Sequence, residues 1–67
     1  MDENEGTKTI MDFLKTGGYK GTKTIHDHLK EEGIKMSRKR LVAILHTYAE
    51  PGEYVRIEGV LQKSWIV

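Results

Sequence analysis

Four cationic side chains, Lys35, Arg38, Lys39 and Arg40, stand between Gly33 and Ala49 with no acid among them. The rest of the chain holds seven Lys and Arg against ten Asp and Glu, so a molecule of formal net charge +1 gathers positive charge on one segment. A cationic run on an otherwise balanced chain is the footprint expected of a polyanionic partner. Other reactive groups are sparse. His26 and His28 flank Asp27, but residues two apart on a helix project to different faces and do not close on one ion. The third histidine, His46, falls in a different predicted helix, and zero cysteines leave no thiolate ligand, disulfide or thiol nucleophile. Ser37 is accounted for by helix capping, Ser64 falls in a predicted strand, and no Gly-rich phosphate loop is present, so neither an enzyme, a metal site nor a cofactor is expected.

The elements that must position these cations follow from spacing. A chain of 67 residues builds one domain with a small core. The acidic, polar start from Met1 to Gly6 reads as a flexible tail, residues 1–6, ahead of a domain over 7–67. It is the reverse of a cationic signal peptide. No apolar run approaches the ~20 residues that span a bilayer, so no membrane partner is expected, and the expected location is the cytoplasm, on the nucleoid.

Gly6 to Lys20 and Gly21 to Lys35 are identical at ten of fifteen positions. Each copy reads as a short helix, with Thr7 and Thr22 as N-caps and Gly17 or Gly18 and Gly33 as the left-handed residues that end them. Two copies fall short of the three or more a solenoid needs. The inward residues are Ile10, Phe13 and Leu14 in the first copy and Ile25 and Leu29 in the second. A third helix starts after the N-cap Ser37 and runs to about Ala49, where Pro51-Gly52 stops it. Leu41, Ile44, Leu45 and Tyr48 form its apolar stripe; Lys39, Ala43, His46 and Thr47 lie opposite, with Arg40 and Val42 at the edges. Tyr54 to Ile57 and Lys63 to Val67 then read as two strands of a hairpin. Its turn is either Glu58-Gly59 or a longer loop from Gly59 to Gln62, because Glu is not a favoured first residue of a two-residue turn. Trp65 reads as a core residue. The class is α+β, a three-helix bundle followed by a C-terminal β-hairpin.

The segment Thr24 to Ser37, with Leu41, Leu45 and Tyr48 as buried spacers and the hairpin after them, resembles the winged helix-turn-helix family of nucleic-acid-binding domains. The resemblance covers essentially the whole chain and lies in order and pattern. It implies that residues 37–49 form a recognition helix, that 53–67 form a wing, and that Tyr19-Lys20 supplies a short third strand. Lys63-Ser64-Trp65-Ile66-Val67 is also similar to the close of the wing in small Z-DNA-binding domains, but Val42 and His46 stand where those domains place Asn and Tyr, and their paired prolines are missing. These departures argue against left-handed DNA.

On this reading the partner is double-stranded DNA. Lys39, Arg40, Ala43, His46 and Thr47 face the major groove, which admits one α-helix; Lys and Arg donate to guanine, and Ala43 and the Thr47 methyl pack on thymine methyls. Lys35, Arg38, Lys23, Thr22 and Thr24 lie near the turn, where backbone phosphates would pass. Arg56 and Lys63 extend the contact from the hairpin. The role is that of a transcriptional regulator, repressor or architectural factor, with no small-molecule substrate. A weak homodimer would use the first helix or the hairpin edge. The competing readings are a protein-interaction module, which calls for an exposed apolar patch on the third helix or wing, and RNA binding, for which the sequence offers no evident aromatic platform.

Overall fold

The computed structural model describes residues 3–67, with side chains from residue 5 onward, so Met1 and Asp2 of the expected tail lie outside the described residues. In chain order the elements are α1 (Glu3–Leu14), β1 (Lys20–Gly21), α2 (Thr22–Glu31), α3 (Arg38–Tyr48), β2 (Glu50–Ile57) and β3 (Val60–Ile66). Among the described residues the fold is α+β, three helices with a three-stranded antiparallel sheet of order β1-β3-β2. No helix in them is long and apolar enough to cross a membrane.

Each helix turns an apolar face inward. Ile10 and Leu14 of α1, Ile25 and Leu29 of α2, and Leu41 and Leu45 of α3 are buried together with Ile34, Ala49 and Trp65. Full burial of a Leu or Ile contributes about 1.5–3 kcal/mol, so these seven Leu and Ile positions, with Trp65, carry most of the cohesion. Phe13, Met11 and Ile44 are half-buried against this cluster. Ile34, which belongs to no periodic stripe, enters the core from the turn after α2, where Gly33 adopts φ 78°. Its amide donates to the Leu29 carbonyl at 2.9 Å, closing the helix end with the left-handed glycine its sequence predicts.

Several expectations need correction. α1 begins at Glu3, so residues 3–6 form its first turn instead of a tail and Thr7 lies inside the helix. Gly6 is buried there, and a Cβ at that position would lie 2.6 Å from the Met36 methyl. Tyr48 is 56% exposed. α3 ends at that residue, beyond the edge of the core, and the chain turns extended at Ala49, which takes the inward position. The second strand begins at Glu50, ahead of the expected start, and includes Pro51 and Gly52. Proline is tolerated because β2 is an edge strand. The ladder slips by one residue between Pro51 and Tyr54, and at this bulge the Ser64 hydroxyl donates to the Glu53 carbonyl at 2.5 Å.

The hairpin turn is the two-residue choice. Ile57 pairs with Val60, and Glu58 and Gly59 both take positive φ, 51° and 80°. A tight turn matched to strand twist needs both residues there, which suits Gly59 and strains Glu58. β1 pairs with β3 through Lys20 with Trp65 and Gly21 with Ser64, so the short third strand implied by the family resemblance is present one residue further along.

Candidate nucleic-acid interface

The start of α3 is built locally. Ser37 is extended (φ −69°, ψ 154°) and its hydroxyl accepts from the Arg40 amide at 3.2 Å, the third helical N–H. Leu41 and Leu45 pull one face of the helix into the core, which turns Lys39, Ala43 and Thr47 to solvent. Lys35, Arg38, Lys39, Arg40, Ala43, His46 and Thr47 are all exposed. The first turn contains no acid, so its cations oppose the helix dipole, at a cost of a few tenths to ~1 kcal/mol each. Further along, the Thr47 hydroxyl donates back to the Ala43 carbonyl at 3.1 Å. The His46 ring meets Trp65 edge-on, centroids 5.0 Å apart and planes at 88°, so the buried indole sets its orientation.

The start of α2 is built quite differently. Its N-cap is Gly21, which offers no side chain. Thr22, expected as a cap and phosphate donor, is buried: its hydroxyl donates to the Lys63 carbonyl and accepts from the Trp65 indole N–H, both at 2.9 Å. Thr24 is also occupied, since its amide donates to Gln62 Oε1 at 3.0 Å and its hydroxyl to the same oxygen at 3.3 Å. Gln62 thus caps the third helical N–H of α2 from across the sheet. Gly21 is what lets it approach, because a Cβ there would stand 2.7 Å from Gln62 Cδ and 2.9 Å from Ile57 Cδ1. Lys23 is half-exposed and pairs with Asp27 at 2.9 Å. That hydrogen bond holds the Asp27 carboxyl below its ordinary range. Of the phosphate contacts expected at this end, only Lys23 keeps an accessible charge. Gln62 was not anticipated, because the strand that carries it reads as starting at Lys63.

The hairpin extends the surface. On β3, alternation puts Leu61, Lys63 and Trp65 on one face, and the ladder pairs Tyr54 with Lys63 and Arg56 with Leu61. At its base this face buries Trp65, 1% exposed; further out it presents Tyr54 at 65% and Leu61 at 61%. Tyr19 is exposed as well. The Lys63 ammonium sits over the Tyr54 ring, 5.3 Å from its centroid. The Arg56 guanidinium reaches the Gly59 carbonyl at 3.3 Å and stays exposed near the turn.

These three pieces enclose a groove lined by Thr22, Lys23, Arg38, Val42, Tyr54, Val60, Leu61, Gln62 and Lys63, with no carboxylate among them. Val42, read as an edge residue of the open face, is half-buried on its floor. On the other side of the hairpin a second cleft is lined by Asp27, Glu31 and Glu58, beside Phe13, Lys23 and His28. The two clefts differ in sign, and the cationic one adjoins α3.

His26 and His28 part company as their spacing predicts. His26 Nε2 lies 2.7 Å from the Met36 carbonyl, and His28 stacks on Phe13 with centroids 4.2 Å apart. Among the described residues no three His, Cys, Asp or Glu side chains gather to hold a metal ion. Compared with protein-family models, curated proteins and solved structures, the chain matches none of them.

Proposed function

We propose that this protein is a small winged helix-turn-helix domain that binds double-stranded DNA, with α3 entering the major groove and the β2–β3 hairpin flanking it as a wing. The observation that carries the reading is the cluster of exposed Lys35, Arg38, Lys39 and Arg40 at the start of a helix whose opposite face is locked into the core. Cations so placed weaken the helix and are offset by an anion docked against them. Lys39, Ala43 and Thr47 would read base edges, and Arg38 and Lys35 would hold phosphates. As a regulator, repressor or architectural factor the domain acts by occupying DNA.

The test is selection from a random double-stranded DNA pool beside an RNA pool. Enrichment of a DNA motif supports the reading, and enrichment from RNA alone contradicts it. Lys39→Ala should then cost about 1–3 kcal/mol on the selected site and much less on random DNA, whereas Arg38→Ala should weaken all sequences alike. A protein-interaction role has one observation in its favour, the exposed Tyr54, Val60 and Leu61 of the hairpin. It predicts no enrichment from either pool.

A further inference from the structure

We propose that the groove between α3 and the hairpin takes an unpaired DNA base with its flanking phosphates, so that the protein prefers a locally opened duplex to a fully paired one. The proposal rests on the DNA reading above and adds a substrate class to it.

Phosphates alone would need only the cations of this surface. Yet the face that presents Lys63 and Arg56 also presents Tyr54 and Leu61, each more than half exposed, and Tyr54 is oriented by the ammonium above it. An exposed aromatic ring beside an exposed leucine gains little from a phosphodiester chain and much from the π-face of a base. In a paired duplex those faces are covered by stacking and only base edges are offered. An unpaired base offers its face, while Arg38 and Lys63 around the same groove match its phosphates and no carboxylate is among the lining residues. Cationic groove plus aromatic platform is the combination that holds single-stranded nucleic acid without reading its sequence. The acidic lining of the cleft on the other side of the hairpin leaves this groove as the favoured path for the strand.

The experiment compares binding to a fully paired duplex and to the same duplex with a short central mismatch bubble carrying 2-aminopurine. The wild type should bind the bubble roughly 5- to 100-fold more tightly, the range one stacked base supplies, and quench the 2-aminopurine. Tyr54→Ala should abolish preference and quenching with thermal stability unchanged, and Tyr54→Phe should keep preference and quenching. Equal wild-type affinity for the two DNAs overturns the proposal and leaves the DNA reading standing; so does a Tyr54→Ala loss that is the same on both. Binding to neither DNA overturns the DNA reading itself and this proposal with it.

Discussion

The two helix starts that face the candidate interface solve the same problem in opposite ways. Each must satisfy its third backbone N–H. α3 does so with its own Ser37, three residues away, whereas α2 does so with Gln62, which arrives from β3 across 38 positions of sequence. The consequence is that one start serves cohesion while the other stays open at the surface. At α2 the polar groups are spent inside the molecule: Thr22 ties the Trp65 indole to the Lys63 backbone, Thr24 is held by Gln62, and Lys23 is paired with Asp27. At α3 the cap is self-contained, so the cations around it remain exposed at the surface. Residues that look equally suited to phosphate in the sequence therefore part according to whether a distant strand claims them.

Perturbing either start should separate stability from binding. The largest effect is expected from Trp65→Ala, which empties the core and strips Thr22 of its indole donor; a loss of about 3–5 kcal/mol should leave a domain of this size unfolded by circular dichroism. Gln62→Ala comes next. Removing the partner of two donors at once should destabilise by about 1–3 kcal/mol in chemical denaturation, with α2 amides exchanging faster. Ser37→Ala deletes the equivalent cap at the exposed start and should cost about 1 kcal/mol. A Gln62→Ala loss smaller than that of Ser37→Ala would remove the distinction. The smallest effect sharpens it: Asp27→Asn should release Lys23, making the α2 start slightly more like that of α3, and raise DNA affinity about twofold. Acid should act in the same direction. Asp27 titrates below the usual carboxylate range, so the ion pair's contribution to stability is present above the unfolded carboxylate's pKa and is lost as pH falls through the lowered value.

How much of this was legible in the sequence follows the same line. Local rules held where the physics is local: the Ser37 cap, the left-handed Gly33, and the inward Ile25, Leu29, Leu41 and Leu45. They failed where a partner comes from elsewhere in the chain. Thr7 and Thr22 occupy matching places in two nearly identical segments, yet one sits inside α1 and the other is buried under β3. No local feature separates them; the sheet does. Helical periodicity likewise put Tyr48 inside, because spacing sets the face of a residue and not whether the core extends beneath it. The aromatic platform went unseen for a related reason. Tyr54 and Leu61 become neighbours of Arg38 only once the two-residue turn at Glu58-Gly59 fixes the register of the hairpin.

The most direct test of the account is the salt dependence of DNA binding by the wild type and by the Lys35→Ala, Arg38→Ala double variant. With about 4–6 phosphate contacts, log K should fall against log salt with a slope near −4 to −5, and the double variant, folded as well as the wild type, should lose up to about two units of that slope. A flat response in the wild type, or an unchanged slope in the variant, would contradict the assignment of the α3 start as the DNA-docking end of the molecule.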